Sequence, residues 1–216
     1  MAKLTKHGKF DKKHSHASQQ YLRRQAADPF AIAARKQGYR SRAAYKLTWI
    51  DDKYKLLRPG KDVVDLGAAP GSWTEVALER LKGSGKVIAI DKLEMDDIPE
   101  ATVLQGDMTS TEVFNELLTL CPDGVDVVLS DMAPETCGNS ATDHIRSMLL
   151  CDIALDFAMQ TLKPGGSFVC KLFQGGEEKQ LLEKLRKAFT KAAFEKPEAS
   201  RKDSKEIFVV AAGFKG

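Results

Sequence analysis

Short apolar runs alternate with amphipathic stretches from Asp62 onward, and this alternation predicts the architecture. DVVDL (Asp62–Leu66), KVIAID (Lys86–Asp91), TVLQGD (Thr102–Asp107), DVVLSD (Asp126–Asp131) and SFVCKLF (Ser167–Phe173) are rich in branched aliphatic residues, as expected of strands covered on both faces. Helical spacing is expected between them, over Ser72–Leu81, Thr109–Leu118, Met148–Leu162 and Glu177–Ala192. Gly83–Gly85 and Lys163–Gly166 read as turns, and Met132–His144 as a loop. Upstream, Phe30–Arg40 and Ser41–Leu57 read as two helices, the second with Ser41 as N-cap, ended by Arg58-Pro59-Gly60. The end of the chain, Ala193–Ser200 followed by Lys205–Phe214, reads as a hairpin. Strands alternating with helices imply a mostly parallel, seven-stranded Rossmann-like sheet with helices on both faces and an antiparallel C-terminal strand.

The stretch DVVDLGAAPGSW, Asp62–Trp73, joins the first strand to its helix through Gly67 and Gly71. Sheets of this kind hold nucleotide-type cofactors beyond the carboxyl end of that strand, where glycine permits approaches that a Cβ blocks. Asp65, Asp91, Asp107 and Asp131 stand at or near the ends of the first four strands and are expected along that same edge. Asp91 falls about twenty residues beyond the glycine turn, where a carboxylate takes the ribose hydroxyls of an adenosine. A dinucleotide fingerprint needs G-x-G-x-x-G, but the turn here is Gly67-Ala68-Ala69-Pro70-Gly71. A cofactor without phosphates fits better, and S-adenosylmethionine is the expectation. Asp65 and Asp131 suit its ammonium and sulfonium, Asp107 its adenine amino group, and Met108 the ring. Trp73 serves either as an aromatic wall or as core packing.

Methyl transfer to a hydroxyl needs an oriented nucleophile and a base. Lys171 stands inside an apolar strand, Asp131 closes the fourth, Glu206 opens the last and Lys46 lies on the early basic helix. An antiparallel last strand would bring Glu206 to the edge that holds Asp131 and Lys171. The reading is that Lys171 takes the proton of a ribose 2′-hydroxyl while Lys46 and Glu206 orient the lysine and the hydroxyl. Lys46 beside Lys171 would lower the pKa of both, and the carboxylates would hold the two in register. This chemistry requires no metal.

Composition adds an organisation and a partner class. The chain of 216 residues is 43% hydrophobic, enough for one full domain, expected over 29–216. Before Leu47, twelve lysines and arginines face Asp11 and Asp28 alone. Residues 1–28 therefore read as a flexible basic tail suited to a polyanion. His14 and His16 in that tail are expected to be solvent-exposed rather than metal-bound. No apolar run reaches membrane length, the N-terminus lacks a signal core, and Cys121, Cys137, Cys151 and Cys170 are scattered. These features point to a soluble protein of the reducing cytoplasm, expected to be a monomer without membrane contact.

DLGAAPGSW, LSDMAP with a glycine four residues beyond its proline, VCKLFQG and KPEASRKDSKEIFVVAAGF resemble, in order and spacing, the FtsJ/RrmJ family of RNA ribose 2′-O-methyltransferases. The resemblance runs from about Gly38 to the C-terminus and is strongest to the bacterial branch that methylates a uridine ribose in large-subunit ribosomal RNA. It implies a K-D-K-E catalytic set at Lys46, Asp131, Lys171 and Glu206, and S-adenosylmethionine contacts at Gly71, Trp73, Asp91, Asp107 and Asp131. It also implies 23S rRNA within the 50S particle as substrate. The tail through about Ala27 carries no motif of the family, and the QGGEEKQ turn departs from its pattern. A tRNA or mRNA-cap ribose methyltransferase, or a non-catalytic RNA-binding assembly factor, are the alternatives.

Overall fold

A computed structural model describes residues 27–201 and 203–216. The basic tail, with His14 and His16, therefore lies almost wholly outside the described residues. Six helices among those described pack on one sheet: α1 (Pro29–Gln37), α2 (Ala44–Tyr54), α3 (Ser72–Leu81), α4 (Thr111–Thr119), α5 (Ser140–Thr161) and α6 (Glu178–Ala188). The strands are β1 (Val63–Leu66), β2 (Val87–Asp91), β3 (Ala101–Gln105), β4 (Val125–Ser130), β5 (Leu162–Phe173), β6 (Phe189–Glu195) and β7 (Glu206–Phe214).

The seven strands run in the order β3-β2-β1-β4-β5-β7-β6. The neighbours from β3 to β5 pair in parallel, and β7 runs antiparallel between β5 and β6. From β1 the chain builds outward to β3 on one side and then crosses to β4 on the other. The crevice between the carboxyl ends of β1 and β4 is thus the switch point where this topology holds ligands. Alternate residues of each strand feed two cores. Val64, Leu66, Ile88, Ile90 and Cys170 pack under α4, α5 and α6, while Val63, Val127, Leu129, Val169, Phe208 and Val210 pack under α2 and α3. Among the described residues no helix is long and apolar enough to cross a membrane.

Several boundaries differ from the pattern, among them the first hairpin strand, expected over Ala193–Ser200 and found at Phe189–Glu195. Helix α5 starts at Ser140, eight residues before the apolar periodicity begins, because the Asn139 side chain accepts from the Ala141 and Thr142 N–H groups and caps a polar first turn. Lys163–Gly166, read as a turn, belongs to β5, whose pairing with β4 shifts register between Val125 and Val127. Helix α6 ends at Ala188 rather than Ala192. Phe189 turns extended and packs with Phe214, ring centroids 5.3 Å apart, so tertiary burial outweighs the helical propensity of the next residues. Ser41 is not the cap of α2, which opens at Ala43 without a side-chain cap; its hydroxyl instead accepts the Ala43 N–H and meets Ser72 Oγ at 2.8 Å.

Candidate active site

Strand parity gathers the predicted catalytic residues. In β5–β7 the directly opposed pairs are Lys171 with Phe208 and Phe173 with Glu206, so all four side chains leave one face, the face covered by α2 and α3. Asp131, just beyond β4, continues the alternation of Val127 and Leu129 on that face. Lys46 reaches it from above, on α2. The result is two ion pairs: Lys46 Nζ lies 2.7 Å from Glu206 Oε2, and Lys171 Nζ lies 2.8 Å from Asp131 Oδ1 while also donating to the Asp131 main-chain oxygen. The Phe208 ring joins the two pairs, opposite Lys171 across the ladder and with Lys46 Nζ 5.6 Å from its centroid. Each lysine is thus matched to its own carboxylate.

Glu206 is held at both oxygens and at its backbone. Ser200 Oγ donates to Oε1 at 2.9 Å, opposite the bond from Lys46, and the Glu206 N–H donates to Ser204 Oγ at 3.1 Å. No periodicity in the sequence marks Ser200; only the fold of the β6–β7 connection brings it back to the start of β7.

Next to the Lys171–Asp131 pair opens a cavity of about 480 Å³, within the range of small-molecule sites. Asp91, Asp107 and Asp131 line it, with Met108, Leu93 and Leu149 as apolar walls. Asp91 accepts the Ala69 N–H at 2.9 Å and the Leu93 N–H at 2.8 Å, which ties the glycine turn to the end of β2. The Thr109 N–H and hydroxyl both donate to Asp107 Oδ1 and hold this carboxyl below its ordinary range, so it stays an ionised acceptor. Gly67, at φ +74°, passes so close to the β4–α5 connection that a Cβ would stand 2.6 Å from Met132 Cγ and 2.7 Å from its main-chain nitrogen.

The other expected positions fall behind the cavity wall. Asp65 is fully buried and does not reach the cavity, contrary to the expectation that it meets an ammonium there. It accepts from Thr74 Oγ1 at 2.7 Å, and burial, reinforced by Asp131 and Asp91, pushes its carboxyl up to about 7. Trp73 is 2% exposed; its Nε1 donates to the Ala43 oxygen and its ring lies 5.7 Å from Phe208. Of its two readings the structure adopts core packing, beneath Phe208. Gly71, at φ +103°, opens α3, and a Cβ there would meet Ile98 at 2.5 Å.

Arg40, counted in the sequence as part of a polyanion footprint, is committed internally. It pairs with Glu75 at 3.0 Å and donates to the main-chain oxygens of Pro70, Asp96 and Asp97 at 3.1, 2.9 and 2.9 Å. One guanidinium fork thus clamps the glycine turn to the β2–β3 loop that flanks the cavity. Among the described residues no group of three or more His, Cys, Asp or Glu side chains is arranged to hold a metal ion.

The sequence profile of the FtsJ-like methyltransferases matches residues 39–214. The Ribosomal RNA large subunit methyltransferase E of Granulibacter bethesdensis is 50% identical over 204 residues, 94% of this chain and 88% of that one. Its namesake in Paramagnetospirillum magneticum is 48% identical over 218 residues, 99% and 89% of the two chains. A crystal structure assigned as a ribosomal RNA methyltransferase from Plasmodium falciparum superposes with a TM-score of 0.75 at 35% identity, covering 82% of this chain and all of the other.

Proposed function

The chain belongs to the FtsJ-like methyltransferase family, and on that premise we propose that it methylates the 2′-hydroxyl of a uridine ribose in the 23S rRNA of the 50S subunit, with S-adenosylmethionine as donor and Lys171 as base. The observation that carries this reading is the pairing of Lys171 with Asp131 at the mouth of a nucleoside-sized cavity, beside the Lys46–Glu206 pair.

The cavity residues fit the donor. Asp91 would take its ribose hydroxyls, ionised Asp107 its adenine amino group, and Asp131 its cationic end, with Met108 and Leu93 against the ring. Gly71 would contribute by shaping the turn, and Trp73 by packing in the core behind it. S-adenosylmethionine, when bound, supplies an electrophilic methyl group. The chain's own residues act on the acceptor. Lys171, as the neutral amine, accepts the hydroxyl proton on Nζ, and the Asp131 carboxylate keeps that nitrogen in place. Lys46, fixed by Glu206, which is itself fixed by Ser200, orients the hydroxyl from the other side. A base so placed contributes on the order of 10²- to 10⁴-fold in rate.

The names of the relatives support ribosomal RNA as acceptor, and nine of the twelve basic residues before Leu47, those other than the internally paired Arg40, Arg42 and Lys46, support contact with a polyanion. We place the activity in the cytoplasm and assign it to a monomer. The test is transfer of tritiated methyl groups to 50S particles from cells lacking the protein, followed by mapping of the labelled nucleotide. Label on a uridine ribose is expected. Label on a base, or on tRNA in preference to the particles, overturns the reading.

A further inference from the structure

A second, smaller hollow of about 270 Å³ adjoins the reactive pair. Two segments of chain run from one cavity to the other. Along β5, Lys171 lines the first and Phe173 the second; along the β4–α5 connection, Pro134 lines the first and Thr136 the second. Two residues along a strand span roughly 6.6 Å, the scale of a single nucleotide from sugar to base.

Phe173 is half-buried, leaves the same sheet face as Lys171 and stands directly opposite Glu206. Its backbone is clamped from α5. The Phe173 N–H donates to Ser147 Oγ at 3.1 Å, and its oxygen receives His144 Nδ1 at 2.6 Å, which makes Nδ1 the protonated nitrogen of that ring. Both clamping side chains are buried, and the following turn passes so closely over His144 that a Cβ on Gly175 would stand 2.1 Å from its ring. The backbone that carries the aromatic ring is therefore held from two sides where it lines the hollow.

Around it stand groups that suit the edge of a planar heterocycle. Lys205 Nζ bonds Ser140 Oγ across the hollow. Ser204 Oγ accepts the Glu206 N–H, which leaves its own hydroxyl proton to donate. Asp143 is held ionised, foremost by the Cys137 N–H, and serves as an acceptor. A concave site lined by an aromatic residue, with both donors and acceptors around it, suits an unstacked nucleobase.

We propose that this hollow receives the base of the target nucleotide, stacked on Phe173 and drawn out of its RNA helix, while the ribose of the same nucleotide meets Lys171. This rests on the methyl-transfer reading above and adds to it the means by which the nucleotide is seated.

The test uses the full-length protein and 50S particles from cells lacking it. Phe173→Ala should lower kcat/KM for the particles by roughly 5- to 150-fold, chiefly through KM, and Phe173→Tyr should restore it to within about threefold. S-adenosylmethionine affinity, by calorimetry, should match wild type in both. An alanine variant with wild-type kcat/KM overturns the proposal, as does an equal loss of cofactor affinity or a tyrosine that restores nothing. A readout without turnover separates this from failure of the methyl-transfer reading. The ¹⁹F resonance of 5-fluorouridine 5′-monophosphate should shift and broaden with wild type and with Lys171→Ala, and stay at its free position with Phe173→Ala. Equal perturbation by all three proteins, or by none, overturns the base site whether or not the particles are methylated.

Discussion

The Lys46 ammonium, on a helix that precedes the first strand, lies 2.7 Å from the Glu206 carboxylate at the start of the last one. Their side chains are 12% and 13% exposed, so removing either strands the other in a largely dry site. Lys46→Ala and Glu206→Ala should each lower stability by roughly 1–3 kcal/mol, and the double variant by at least about 0.5 kcal/mol less than their sum. Urea denaturation of the three proteins measures this; strict additivity would show that the pair carries no coupling.

Lys171→Ala should reduce kcat by on the order of 10²- to 10⁴-fold while leaving S-adenosylmethionine affinity nearly unchanged. Single-turnover kinetics and calorimetry separate the two. Near-normal turnover would remove Lys171 as the base.

Asp65 makes stability depend on pH. Its folded pKa, near 7, stands above the usual value of 3.8, so the folded state binds a proton that the unfolded state releases. Its contribution is most favourable below about pH 4 and is lost as pH rises toward and through 7. Asp65→Asn should therefore stabilise by about 2–4 kcal/mol at pH 8 relative to wild type and progressively less toward pH 4. A pH-independent difference between the two denaturation curves would contradict this assignment.

Gly67→Ala sets a methyl against the Met132 backbone at a positive φ. A loss of roughly 1–3 kcal/mol in stability is expected. Because Met132 lines the cavity, S-adenosylmethionine affinity should fall with it. Unchanged affinity would mean that the turn relaxes away from the ligand.

Arg40→Ala should weaken cofactor binding while the salt dependence of particle binding stays as in wild type, since its guanidinium bonds the chain rather than RNA. Arg40→Lys should not rescue, because a lysine lacks the planar fork that reaches Glu75, Pro70 and Asp97 together. Calorimetry for the cofactor and filter binding of particles across a salt series decide it.

The amino-acid sequence alone determined the alternation of strands and helices, the glycine turn after β1 and the carboxylates at the strand ends, because apolar period and turn chemistry are local properties. Asp91, Asp107, Asp131 and Lys171 were legible as candidates for the same reason: a charge placed in or beside an apolar strand stands out. What local pattern does not encode is which face a residue leaves and what meets it there. Asp65 and Asp131 look alike at strand ends, yet one is sealed under Thr74 and the other opens onto the cavity. Arg40 reads as one more surface cation until the fold wraps the β2–β3 loop around it, and Ser200 reads as loop until the chain returns to Glu206. The partnership of Lys46 with Glu206 joins residues 160 positions apart, and only the register of β5 against β7, together with the seat of α2 on that face, brings them into one site.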